Sequence, residues 1–299
     1  LGLFTYFELR KTHASIKEYT HCKGENIMRK ILGFVLLLSG VATAETHFVT
    51  IKGKQYPTGL LRRTENMPAP KFKQFKMRGD LPESYDARDH ELVTTIKNQG
   101  ACGSCWSFAR TKALEAATII SGRATIDELN MSEQDTLVND KFSFGCDGGF
   151  MDGRFETTAG VTTEKNCPYR ASTRFSCRGA KFAKATNWSM IGESDRAPTA
   201  DELRQAIVDY GVIAVTVAAG STFAPNASGR ITQCGSRTLN HMVNLVGYRL
   251  APNGGYEFLI ANSWGTGWGD GGYAWSKQGC NQLASVPGEA ALFFYTDAQ

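Results

Sequence analysis

Asn98-Gln99-Gly100-Ala101-Cys102-Gly103-Ser104-Cys105-Trp106-Ser107-Phe108-Ala109 reads as a nucleophile delivered to the start of a helix. Trp106, Ala109, Ala113, Ala117 and Ile120 recur at spacings of three and four, which predicts a helix with that face inward, and Gly122 supplies a stop. Cys105 then falls in the first turn, where free backbone N–H groups and the positive end of the helix dipole favour an anion and lower a thiol pKa. Gly100 and Gly103 permit a tight loop, and the Gln99 side-chain amide is placed to donate to a developing oxyanion. The spacing of Cys102 and Cys105 also fits a redox pair or half of a zinc ribbon, but no second C-x-x-C follows and Trp106 comes after the motif rather than before it.

This run resembles the nucleophile segment of papain-like cysteine peptidases. The resemblance implies that Cys105 is the nucleophile, that Gln99 and the Cys105 backbone N–H form the oxyanion hole, and that Cys102 is held in a disulfide. It continues at Cys146-Asp147-Gly148-Gly149-Phe150-Met151, where the family's glycines let substrate backbone approach, and it implies a Cys102–Cys146 bridge. Leu81-Pro82-Glu83-Ser84-Tyr85-Asp86-Ala87-Arg88-Asp89 resembles the family's mature N-terminus, closest to the cathepsin B-like branch, which places the domain at 81–299.

A thiolate peptidase needs an imidazole to share the thiol proton and later protonate the leaving amine. In the expected mature part the choice is His90 or His241. His241 sits in Leu239-Asn240-His241-Met242-Val243-Asn244-Leu245-Val246-Gly247-Tyr248, a strand-like stretch resembling the family's histidine segment, and is taken as the base. The chain turns through Pro252-Asn253-Gly254-Gly255 and returns as a strand ending in Asn262-Ser263-Trp264-Gly265, so a hairpin should lay Asn262 beside His241. By resemblance Asn262 orients the imidazole and Trp264 keeps water from that bond. Cys234 and Cys280 lie where the family places a disulfide, and Cys167 and Cys177 can close a ten-residue loop. Cathepsin B carries near that region a longer occluding loop with adjacent histidines; no histidine stands between His90 and His241, which predicts an open cleft and endopeptidase action.

The 299 residues are 42% hydrophobic and 21% charged, an ordinary globular composition. The charge is unevenly spread: Glu45 to Asp80 has eight Lys/Arg against three Asp/Glu, and Leu81 to Gln299 has nineteen against twenty-three. The basic excess therefore belongs to the lead segment, and nucleic-acid binding is not expected. Residues 28–44 combine Met28-Arg29-Lys30, an apolar run and Ala42-Thr43-Ala44, the three parts of a secretory signal peptide, too short for a comfortable membrane span. Residues 1–27, with His13, His21 and Cys22, are read as an upstream or gene-model extension. Residues 45–80 read as a short basic pro-segment, inhibitory and held partly by long-range attraction to the acidic domain; a disordered linker is the alternative.

The helix signal at Ser132-Glu133-Gln134-Asp135, a helix over Asp201 to Tyr210, and later strands at Val212–Val215, Leu239–Tyr248, Glu257–Ala261 and Gly272–Trp275 predict an α+β fold. The resemblance implies a papain-like two-lobe form of it, a helical left lobe and a β-barrel-like right lobe with the active-site cleft between them. It further implies a substrate-binding S2 subsite lined by Phe150, Met151, Val215, Met242 and Ser285 beside Gly148, Gly149 and Trp264. Nothing acidic is expected at its base, so apolar P2 residues are favoured. The expectation is a secreted or lysosome-like monomeric cysteine endopeptidase acting on peptides or proteins, with no cofactor and no metal. A catalytically silent papain-like binding protein, or an exopeptidase or transferase using the same triad, is the alternative.

Overall fold

One long helix occupies the middle of the structure because its sequence tolerates burial on every side. The computed structural model describes residues 47–296; the expected signal peptide and the stretch 1–27 with His13, His21 and Cys22 lie outside the described residues. In α1 (Cys105–Ile120) every residue from Cys105 through Thr118 is buried, so the helix is wrapped on all sides rather than on the single face its spacing suggests. Its charged members are satisfied internally: Arg110 is paired with Glu156 and Asp140, Lys112 donates to the carbonyls of Thr94 and Thr95, and Glu115 accepts from Thr94 Oγ1 and the Met131 N–H. Gly122, at φ +72°, carries the chain away from the helix end, and its N–H donates to the Ile119 carbonyl.

Helices α2 (Glu133–Asn139), α3 (Arg154–Thr158) and α4 (Ala200–Tyr210) follow. Ser132 caps α2 by accepting the Asp135 N–H, and Thr199 with Glu202 forms a capping box on α4. In chain order the strands are β1 (His47–Ile51), β2 (Lys54–Thr58), β3 (Phe72–Lys73), β4 (Tyr85–Asp86), β5 (Asn187–Ile191), β6 (Ile213–Val217), β7 (Arg230–Ile231), β8 (His241–Leu250), β9 (Tyr256–Ala261), β10 (Tyr273–Lys277) and β11 (Ala291–Tyr295). β1 and β2 form a separate hairpin; the other nine make one sheet in the order β3-β5-β11-β6-β8-β9-β10-β7, with β4 on β8.

Two apolar clusters divide the molecule. One joins α1 to α2 and to the inward face of the sheet through Trp106, Leu114, Leu137, Phe155, Ala214 and Val246. The other fills the sheet's opposite side with Leu203, Ile207, Val215, Leu245, Phe258 and Phe293. Strand alternation sends neighbours to opposite clusters, Ala214 to the first and Val215 to the second. Val215 packs in the second cluster, while Met242, also expected in the subsite, packs in the first. Cys102–Cys146, Cys167–Cys177 and Cys234–Cys280 are bridged, leaving Cys105 as the free cysteine among the described residues. No helix among the described residues is long and apolar enough to cross a membrane.

The lead segment has a definite path. After the β1–β2 hairpin it runs as extended chain past the start of α1, turns at Thr64 to Met67, and adds β3 in parallel to the edge strand β5. Arg78 pairs with Asp209, and the Gln205 amide holds the backbone at Lys76 and Arg78.

Candidate active site

Cys105 is the first residue of α1 and lies wholly buried between the helix and β8. The nearby N–H groups of Met242, Gly59, Trp106 and Cys105 itself favour the anion, yet burial dominates and pushes the thiol up to about 12. The helix start therefore does not by itself produce a thiolate. Its effect is overridden because the lead segment covers the sulfur and removes the water that would solvate the anion, which corrects the expectation of a lowered pKa.

His241 opens β8, one residue before Met242, whose N–H favours the Cys105 anion. The β8–β9 hairpin, turned at Ala251 to Gly255, sets Asn244 opposite Ala261 and so carries Asn262 alongside the ring. His241 Nε2 lies 2.9 Å from Asn262 Oδ1. That oxygen also accepts the Ser263 N–H at 2.8 Å, which fixes the amide's orientation and makes Nε2 the protonated nitrogen. Nδ1 is thus an acceptor, and it is buried with no partner. Burial holds the imidazole pKa down to about 4, against the opposing bond to Asn262. Trp264 stacks on the ring at 4.5 Å and covers it from one side.

Gln99 closes the other side of the nucleophile loop. Its N–H donates to the Ser263 carbonyl, its Oε1 accepts from Ser263 Oγ at 2.7 Å, and its Nε2 donates to the Cys102 carbonyl at 2.9 Å. The segment's Pro57 carbonyl also lies within reach of Gln99 Nε2, at 3.4 Å, and accepts from Trp264 Nε1 at 3.1 Å. Gln99, Asn262 and His241 are thus joined through Ser263, and Cys105 at the start of α1 has the N–H of Met242, the residue after His241, next to it.

The cleft is filled by the segment's backbone. Gly59 and Leu60 donate to the Asn240 carbonyl at 3.1 and 2.9 Å, Gly149 donates to the Gly59 carbonyl at 2.8 Å, and Leu61 donates to the Gly149 carbonyl at 2.8 Å. Gly149 can take this pairing because it lies flat on Trp106, where a Cβ would fall 2.4 Å from the ring. Leu60 is buried in the cluster that holds Met151, Leu239 and Met242, while Tyr56 stacks on the outer face of Trp264 at 4.5 Å. Phe150 is half-buried with its edge toward the exposed Phe144. Ser285 is half-buried in the turn before β11, and Val286 is the neighbour that packs on the Leu60 cluster.

Two further residues carry no signal in the sequence. The Tyr169 hydroxyl, in the Cys167–Cys177 loop, donates to the Gln99 carbonyl at 2.9 Å and lies 2.6 Å from Ser104 Oγ, clamping both ends of the nucleophile loop. Glu289, just before β11, presents its carboxylate to Arg62 and to the Arg63 N–H, so an acid does stand at this end of the cleft. No motif marks either, since each is defined by what lies across from it.

Comparison with known proteins agrees with the geometry. Residues 81–292 match the papain family cysteine protease model. The chain is 40% identical over 201 residues to a senescence-specific cysteine protease of Arabidopsis thaliana, covering 65% of this chain and 56% of that protein. It is 35% identical over 225 residues to a cathepsin L-like protein of Caenorhabditis elegans, covering 71% and 64% respectively. The chain thus spans between half and two thirds of the length of these relatives. Among solved structures it is similar to the bromelain protease of Ananas comosus in complex with the E64 inhibitor, at 27% identity and TM-score 0.59, covering 72% of this chain and 100% of that one. It is also similar to the Amb a 11 cysteine protease, a ragweed pollen allergen, in its proform, at 26% identity and TM-score 0.63, covering 74% and 69%. With the nucleophile loop, imidazole and amide converging as described and most of the chain matching one family, this protein belongs to the papain family of cysteine proteases.

Proposed function

We propose that the chain is a cysteine endopeptidase made as a secreted zymogen, with residues 45–80 as its inhibitory pro-segment. The observation that carries this reading is a buried imidazole whose Nε2 is held by Asn262 and whose Nδ1 has no partner, one residue before the Met242 N–H that neighbours Cys105. Once the segment leaves, water reaches the pair, the thiol proton passes to Nδ1, and a thiolate–imidazolium couple forms at the start of α1. The thiolate adds to a peptide carbonyl, and the resulting oxyanion is met by the Gln99 amide and the Cys105 N–H. The imidazolium then protonates the departing amine, leaving a thioester. Water, deprotonated by His241, hydrolyses that thioester to the acid and the free thiol.

Apolar P2 side chains are favoured on this reading, since Leu60 already fills the place beside Gly149 with Met151 and Met242. A secreted or lysosome- or vacuole-like location is supported by the expected leader and by three disulfides. The short basic segment and Asp86-Ala87-Arg88 support a place near the cathepsin B-like branch, although the relatives compared are plant cysteine proteases and a cathepsin L-like protein. The test is labelling of the activated chain by a thiol-directed epoxide together with hydrolysis of blocked fluorogenic peptides. Labelling at Cys105 with internal cleavage is expected; absence of both, or release of terminal residues alone, would refute the assignment.

A further inference from the structure

Glu289 has a burial its own domain does not explain. Its side chain is only 9% exposed, and the two hydrogen bonds its carboxylate accepts come from the lead segment, from Arg62 Nε and from the Arg63 N–H at 2.8 Å. Its backbone is fixed independently, with its carbonyl accepting from Thr216 Oγ1 at 2.9 Å and its N–H donating to the Val286 carbonyl. Removing the segment therefore leaves a rigidly mounted carboxylate with no partner from residues 81–296. The carboxylate then faces the uncovered cleft from a fixed position, and a cationic side chain of an incoming peptide can take the place that Arg62 holds. Across the cleft Asp152 is 3.5 Å from Arg63 Nη1; its charge is already shared with Arg154 at 2.7 Å, so the unmatched acid is Glu289.

The segment marks which features lie at increasing distance from the sulfur; it runs parallel to Gly149 and so opposite to a substrate whose P2 to P5 residues run toward its N-terminus. From Gly59, packed against the nucleophile loop, the chain moves away through Leu60 at Gly149 and Leu61 at Gly148 to Arg62 and Arg63. We infer that Glu289, with Asp152 opposite, is a specificity site of the uncovered enzyme that takes a basic substrate side chain two or three residues further from the scissile bond than the apolar residue at Gly149. The favoured substrates are then peptides with an apolar P2 and Arg or Lys at P4 or P5. This rests on the peptidase reading, and it adds a selectivity that apolar S2 packing does not supply.

The activated enzyme is offered peptides with Leu at P2 and Arg, Lys, Gln or Glu placed in turn at P3 to P5. A basic residue at P4 or P5 is expected to raise kcat/KM about tenfold over Gln, the size of a charge-assisted hydrogen bond. The ratio falls toward one in Glu289→Gln and inverts toward Glu-bearing peptides in Glu289→Lys, with melting temperature as the check on folding. Equal rates for all four residues, or a basic preference that survives Glu289→Gln, would overturn the inference while leaving the peptidase intact. A second arm needs no turnover. In the full chain, Glu289→Gln should speed alkylation of Cys105, and Arg62→Glu combined with Glu289→Arg should restore protection. If neither variant changes the alkylation rate, Glu289 does not hold a cation. If the arms diverge, with no hydrolysis but alkylation following the charge, it is the peptidase reading that fails.

Discussion

Gly59 is the residue on which coverage of the thiol should turn. A Cβ added there would fall 1.9 Å from the Gly103 carbonyl oxygen and 2.4 Å from its carbon. Both partners are backbone, and Gly103 is pinned by its own N–H to the Cys146 carbonyl at 2.9 Å, so no rotamer change relieves the overlap. In Gly59→Ala the segment has to lift by more than an ångström, which breaks the four backbone hydrogen bonds made through Asn240 and Gly149. At about 1 kcal/mol each these sum to about 4 kcal/mol, an upper limit of roughly a thousandfold in the fraction of uncovered molecules. The assay is the rate of Cys105 carboxamidomethylation in the full chain at neutral pH, located by peptide mass mapping. Uncovering also lets the thiol pKa fall from about 12, which speeds the reaction further. A Gly59→Ala chain as protected as the parent, with an unchanged melting temperature, would refute the claim that this close approach seats the segment.

Asn262→Ala removes the acceptor that fixes the imidazole; kcat should fall by about a hundredfold with KM little changed, and a loss confined to KM would contradict the orienting role. Tyr169→Phe keeps the edge contact with Phe108 at 4.8 Å but deletes the hydroxyl joining Gln99 and Ser104, so kcat/KM should drop about tenfold; an unchanged value means the clamp is redundant. In a Cys105→Ser chain, which cannot form the thiolate–imidazolium couple, acid should loosen the covered state. His241 titrates near 4 when covered and near 6.5 when solvated, so between those values the uncovered form binds a proton that the covered form does not. Coverage is then strongest above pH 6.5 and weakens as pH falls toward 4, by at most about 3 kcal/mol. Hydrogen exchange at the Gly59 to Leu61 amides across that range is the measurement, and protection that holds constant or grows with acid would reverse the sign of the argument.

Much of this was legible in the chain because the features concerned are local. The helix from Cys105, the Ser132 cap, the turn at Pro252 to Gly255 and the glycines at 148 and 149 each depend on neighbouring residues, and local chemistry writes itself into spacing. The β8–β9 hairpin extended that reach, because a short turn fixes register and thereby the meeting of His241 with Asn262. The misses share one cause. Strand alternation, which no short motif reveals, decides that Val215 packs in one core cluster and Met242 in the other. Glu289 and Tyr169 lie far along the chain from the residues they serve, and no spacing rule connects them.

What the sequence determined alone was the set of groups proposed to react, since the proposed nucleophile, base, orienting amide and oxyanion donor each sit in a short stretch whose residue types suit one chemistry. What only the tertiary structure decided was their state. The helix start favours a thiolate, but a segment from elsewhere in the chain excludes water from the site. Solvation of an ion outweighs a partial charge at a helix end, so the covered pair is held as neutral thiol and neutral imidazole.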